Sequence, residues 1–271
     1  MMISRDSSTS KSRNQQCRNM LEHRVPCVLL WLSEASIAIG LLACSVEAFA
    51  VEIPTEHHPW GRFQPDSWSR VRVVTETLGA GTSSSQITII TTTLVRVDED
   101  GVVLTRETKI GDKVTREENV KYAWDGAKSD PSTQEKYGLG EVDVDRKTYA
   151  CQTHTRTTKD NLGSYVVKSW YSPDQSPYFL KRIMRVSGKH PETTSMRVIR
   201  LSVARTTLEK PIVCWQSETK FSGRSEKGTT ISYHSMDVPG GLVSSETEVT
   251  HPQQGTKRRS RQELIEYEAV Q

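Results

Sequence analysis

The spacing closest to a catalytic signature in this 271-residue chain is Ser217-Glu218-Thr219-Lys220, which fits the Ser-x-x-Lys pattern of a serine nucleophile with a basic partner. That chemistry needs a helix and the companion motifs Ser-Asp-Asn and Lys-Thr-Gly, and neither motif occurs. The four residues read as strand, where Ser217 and Lys220 point to opposite faces, so the match is accidental. No Gly-x-Ser-x-Gly elbow, His-Glu-x-x-His pair or glycine-rich phosphate loop is present. Gly138-Leu139-Gly140 is too short to cradle a phosphate and is expected to end a turn over residues 132–137.

The remaining candidates are histidines, acids and cysteines. His57-His58 could meet a metal, but adjacent side chains chelate one ion poorly, and the pair reads as flexible surface. His154 follows Cys151 at a spacing found in zinc sites, yet a closed site needs four ligands and position 217, the counterpart after Cys214, is serine. His190 and His251 precede prolines in turns, and His234 reads as a surface strand residue. Asp98, Asp100, Glu117 and Glu118 fall at turns or strand ends. Asp174 and Asp237, each in a Ser-x-Asp loop, are expected to cap those turns through the backbone. These residues point to no metal, no cofactor and no catalytic set.

The first 50 residues read as a targeting segment. Arg5, Lys11, Arg13, Arg18 and Arg24 make a basic start, and an apolar run from Val25 to Cys44 is broken chiefly by Ser33 and Glu34. Met20 is an alternative start that gives a shorter leader. Two cleavage sites compete. Ala48-Phe49-Ala50 releases a chain beginning at Val51, whereas Leu41-Leu42-Ala43-Cys44 would lipidate Cys44 and anchor the protein on a membrane. Either destination is extracytoplasmic.

Removing the leader takes away 5 of 36 basic and 4 of 33 acidic residues, so the body is left with 31 against 29, a net charge of +2. That balance gives no reason to expect nucleic acid as partner. Lys257-Arg258-Arg259 and Arg261 form the one basic cluster and read as a solvated strand end. Only Cys151 and Cys214 remain in the body. In an oxidising compartment they are either a disulfide or two buried thiols that never meet, and both readings stay open.

The body alternates polar and apolar residues at Arg70-Val71-Arg72-Val73, Ile87-Thr88-Ile89 and Val95-Arg96-Val97, with Asp100-Gly101 and Gly111-Asp112 as hairpin punctuation. The expected organisation is a signal peptide over 1–50, an N-terminal segment over 51–67, a first β unit over 68–126, a connector over 127–146, and β units over 147–208 and 209–271. The last two units match on a shift of 63 residues, which lays Cys151 on Cys214, Ser169-Trp170 on Ser232-Tyr233, and Asp174 on Asp237. The fold class is all-β, an antiparallel meander of about twelve strands whose sheet must curl into a half-barrel, barrel or sandwich. Trp60, Trp68, Trp124, Trp170 and Trp215 are expected on its apolar face.

Three stretches, "HPWGRFQPDSW" (58–68), "KSWYSPDQSPYFLKR" (168–182) and "MDVPGGLVSSET" (236–247), resemble a group of uncharacterised exported bacterial β-rich proteins, and no enzymatic function comes with that likeness. The architecture also resembles the half-barrel of periplasmic lipoprotein carriers. The expected function is a non-enzymatic envelope protein that binds or builds structure. Its sharper form is a curved sheet holding a lipid or other apolar ligand on some of Trp170, Tyr171, Tyr178 and Phe179. The alternative is an interaction scaffold for an envelope protein, using the repeated loops 172–177 and 235–240. An envelope hydrolase ranks below both.

Overall fold

The computed structural model describes residues 53–270 except 80, 81, 125–132, 161, 162, 190, 252 and 254. The leader with Cys44, both cleavage sites and His190 lie outside the described residues. Among the described residues, after one 3-10 turn, Thr55–His57, every element is a strand. The first four are β1 (Trp68–Gly79), β2 (Thr82–Asp98), β3 (Gly101–Ile110) and β4 (Lys113–Ala123), followed by β5 (Gln134–Val144). Then come β6 (Lys147–Asp160), β7 (Gly163–Tyr171), β8 (Phe179–Gly188) and β9 (Glu192–Thr207). The last four are β10 (Lys210–Gly223), β11 (Lys227–His234), β12 (Leu242–His251) and β13 (Thr256–Glu268).

All thirteen strands form one curved, unclosed antiparallel sheet in the order β4-β3-β2-β1-β13-β12-β11-β10-β9-β8-β7-β6-β5. The fold is all-β as expected, in a single sheet rather than a sandwich. Every pairing but one joins chain neighbours as a hairpin; the exception is β1 with β13, Trp68 facing Glu268 and Val73 facing Gln262. The two free edges, β4 and β5, are therefore consecutive in the chain.

The thirteenth strand is β5, which falls in the stretch expected to be a connector. Gly138 and Gly140 end no turn; they lie within β5, paired with Thr153 and Cys151 of β6. A Cβ at Gly140 would sit 3.0 Å from the Trp170 indole nitrogen and 2.9 Å from Thr153 Cγ2, so glycine is there for clearance. Gly111, by contrast, has φ +57 and makes the expected tight turn between β3 and β4.

Strand alternation places charge on one face of β1, β13 and β12 and small or apolar residues on the other. Arg72 bonds Glu263 at 2.9 Å and Arg259 bonds Glu248 at 2.6 Å on the open face. Val71, Val73, Leu264, Val243 and Val249 occupy the covered face. Three apolar clusters sit along the sheet. Val142, Val144, Cys151, Trp170, Leu180 and Val198 gather under the β5–β6 turn, where Asp145 Oδ2 accepts from Leu201 N at 3.0 Å. Cys214, Val238, Val243 and Leu264 form the middle one. Trp60, Phe63, Leu94, Val102 and Leu104 form the third. Trp68 belongs to none of them; its ring carries the Arg70 guanidinium at 5.0 Å.

The cysteines resolve in favour of buried thiols. Both are free, and their strands, β6 and β10, are four places apart in the sheet. At about 4.8 Å per strand that separation is far beyond the roughly 7 Å Cα limit for a bridge. Each thiol points back at the carbonyl two residues earlier, Cys151 to Tyr149 and Cys214 to Ile212. Burial pushes both thiols above their ordinary pKa, which leaves them unreactive.

The segment before β1 is fastened to the residues that follow β13. Fully buried Ser67 accepts from Val270 N at 3.0 Å, and Gln64 N donates to Val270 O at 2.9 Å. Ser67→Ala removes the partner of the half-buried Val270 amide and should cost about 1 kcal/mol, read as a lower urea midpoint at unchanged slope.

Candidate functional site

The segment from His57 to Trp60 lies against the covered face and is gripped by two loops, the β7–β8 loop and the β11–β12 loop. On one side His57 stacks on Tyr178 (centroids 3.4 Å, planes at 12°) and takes a 2.6 Å hydrogen bond from the Tyr171 hydroxyl at Nδ1. Burial lowers the His57 pKa, partly offset by Glu56. Burial chiefly, with smaller contributions from Tyr178, Glu56 and Asp174, pushes Tyr171 up to about 12. Both shifts favour a phenol that donates and a neutral imidazole that accepts. On the other side Gly240 N donates to Pro59 O at 3.2 Å. Gly240 has φ +78, and a Cβ there would lie 2.7 Å from the Trp60 ring, so only glycine lets the indole close onto this loop.

Each loop is braced from within. Ser172 N donates to Tyr178 O at 2.7 Å, and Ser235 N donates to Gly241 O at 2.8 Å. Ser172 and Ser235 are buried while Asp174 and Asp237 are exposed. The serine is the capping side chain in the second loop, where Ser235 Oγ accepts from Asp237 N at 3.3 Å. The aspartates were expected in that role. A serine oxygen two residues back reaches the amide without turning a carboxylate out of water.

Under this strap lies a cavity of about 350 Å³, more apolar than polar, over β8 to β11. Tyr178, Phe179, Met196, Val198, Trp215 and His234 line it. Its floor includes small residues: Ser217 faces Ser232 across β10 and β11, both buried, and the row continues to buried Ser245 on β12 beyond the cavity. The next row is also hydroxylic, with Thr230 bonded to Thr247 at 2.9 Å and Thr75 to Ser260 at 3.0 Å. Short side chains at these positions are what leave the space open. His234 stacks on Trp215 (5.4 Å, 16°) with one edge toward the cavity, and burial pushes its pKa down to about 4.

Of the aromatic residues expected to line a site, Tyr178 and Phe179 line this cavity, and Tyr171 stands behind them holding His57. Trp170 lies elsewhere, in the β5–β9 core, with Lys168 and Lys181 ammonium groups 4.8 and 4.7 Å from its ring. His57 and His58 are not a flexible pair: His57 is fixed as above, and His58 is buried with its ring edge-on to Trp124 at 5.7 Å. His154 stacks on Tyr137 at 4.6 Å, with Glu135 at 3.4 Å. Among the described residues no cluster of three His, Cys, Asp or Glu could hold a metal. Sequence reading misses Met196, takes His234 for a surface strand residue and places Trp215 on the apolar face without assigning it to a site, although their odd–even positions put all three on the face of Ser217 and Ser232. A bulge in β10 around Cys214 and Gln216 breaks the alternation that would have pointed to them.

No family model and no curated protein matches this chain in sequence. Among solved structures, a protein from Bacteroides fragilis NCTC 9343 classed as exported and described as having a YmcC-like fold is similar at a TM-score of 0.34 and 12% identity, over 76% of this chain and 98% of that one.

Proposed function

We propose that this chain is an exported cell-envelope protein that holds an apolar ligand, without catalysis, in the cavity between the His57–Trp60 strap and β8–β11. Export is carried by the basic and apolar pattern of residues 1–50, with cleavage after Ala50 or lipidation at Cys44. The same reading takes residues 147–208 and 209–271 as one four-stranded unit used twice, in line with β6 and β10, and β8 and β12, whose bounds lie 63 residues apart. The observation that carries the proposal is the lining: a largely apolar space whose polar groups include the hydroxyls of Ser217, Thr219 and Ser232 and the imidazoles of His57 and His234, with no acidic or permanently charged side chain among the described lining residues, a composition suited to a chain or ring rather than an ion. The repeated loops are engaged by the chain's own strap, which favours a carrier over a scaffold built on those loops.

Native mass spectrometry of protein from its own envelope should show a discrete extra mass that vanishes on denaturation. The purified protein should also bind the neutral dye N-phenyl-1-naphthylamine. Phe179→Ala removes apolar surface worth about 2 kcal/mol and should weaken the dye roughly thirtyfold. Ser232→Leu fills the floor and should abolish binding while the protein stays folded. An empty native ion together with unchanged dye affinity in both variants sinks the proposal.

A further inference from the structure

The strap divides the covered face, and on its far side a second cavity of about 500 Å³ opens over β1 to β3. Pro59 and Gly240 border both cavities, so the backbone hydrogen bond between them is the partition. Val71, Ile90, Leu104 and Leu242 give this second space an apolar wall, and Trp60 closes one end. Among its described lining residues the single permanent charge is the Arg106 guanidinium, and none is acidic. Arg106 is ion-paired at 4.0 Å with Glu117, which stands outside the lining; the separation is longer than a hydrogen bond and both side chains are solvent-exposed, so the pair is loose and a ligand head can compete for the guanidinium. Ser69, Thr92 and Gln262 add neutral polar groups on the same wall.

An apolar trough with one cation and no anion selects a ligand of matching form. An uncharged chain leaves Arg106 without a partner from the ligand, and a doubly charged phosphate head brings more negative charge than one guanidinium balances. A cationic amphiphile is repelled. From this we infer a second binding site, distinct from the one over β8–β11, that takes a long-chain carboxylate: its chain lies along Val71, Ile90 and Leu104, and its head forms a charge-assisted hydrogen bond with Arg106. The site does not depend on the other cavity being occupied.

Calorimetry with laurate and with 1-dodecanol, which differ only in the head, tests it on the delipidated protein. Laurate should bind at least tenfold more tightly than dodecanol. Arg106→Gln should erase that preference by weakening laurate alone, and Arg106→Lys should restore part of it. Glu117→Gln should leave laurate binding as tight or tighter. Met196→Trp narrows the other cavity and should leave the preference intact, whereas Thr92→Trp, placed in the second cavity, should abolish laurate binding with the thermal transition retained. Equal binding of the two ligands, a preference that survives Arg106→Gln, or one lost in Met196→Trp would each overturn the inference. The last of these would return the ligand to the cavity over β8–β11.

Discussion

Trp60→Ala is expected to destabilise the protein by about 3–5 kcal/mol, the range for emptying a buried aromatic site. The indole is 7% exposed and packs with Phe63, Leu94, Val102 and Leu104, while its other edge rests on Gly240. Truncation opens a void in that cluster and removes the surface against which the β11–β12 loop closes. Two measurements locate the effect. If the strap and sheet unfold together, the loss appears as a lower urea midpoint. If the strap lets go first, the sheet keeps its midpoint while residues 53–66 become sensitive to protease. Gly240→Ala should reproduce the second pattern, because its Cβ meets the same ring and its positive φ disfavours a side chain. A Trp60→Ala protein with wild-type midpoint and wild-type protease resistance would show that the strap is held by something else.

Acid should weaken the fold through His234. An unfolded histidine titrates near 6.5, whereas burial pushes His234 down to about 4. Above pH 6.5 neither state binds the proton and the full stability is present. Between 6.5 and 4 the unfolded chain alone binds it, so stability falls as acid is added; below 4 both states bind it and the loss levels off. At 1.36 kcal/mol per pH unit this amounts to roughly 3 kcal/mol. His57, also lowered, adds a smaller loss of the same sign. Carboxylates titrate in the lower part of this window, so the informative quantity is the difference from His234→Phe. That variant keeps a flat ring against Trp215 and should lose less stability between pH 6.5 and 4 than the wild type. Identical pH curves for the two proteins would rule His234 out as the group responsible.

Much of the sheet is legible in the sequence, because alternation and hairpin punctuation are local signals. Val71 and Val73 point inward as their spacing says, and Gly111-Asp112 turns where a positive φ is needed. The strand missed, β5, reads as a turn because its two glycines look like punctuation, when Gly140 is clearance for Trp170, 30 residues further on in the sequence. The site is harder still. The strap and the loops that grip it come from three separate stretches, 57–60, 171–179 and 234–240, the cavity beneath draws on β9 and β10 as well, and nothing in the composition of His57-His58-Pro59-Trp60 distinguishes a strap from a loose end. What fixes it is long-range: a phenol from β7, a ring from the β7–β8 loop and a glycine from the β11–β12 loop. Tyr178 and Phe179 could be singled out as aromatic residues in a turn. Trp215 could be placed on the apolar face, but neither it nor His234 could be assigned to the cavity, since alternation gives the faces of a strand but not which of them another segment will cover.

The pairing of β1 with β13 also sets an order of events during synthesis. Trp68 and Glu268 stand 200 residues apart, so joining them closes a loop about twenty times longer than a ten-residue hairpin, at an extra entropic cost of roughly 3 kcal/mol. A chain growing from its N-terminus can assemble β1 to β4 early and β5 to β12 later, each as successive hairpins. Until β13 emerges these are two separate sheets, each with an open edge in the strand that β13 will eventually touch. The last strand made is therefore the one that makes the two halves a single molecule. A ribosome that stalls before Thr256 releases a product with two further exposed edges, β1 and β12, the kind of surface on which one chain recruits another.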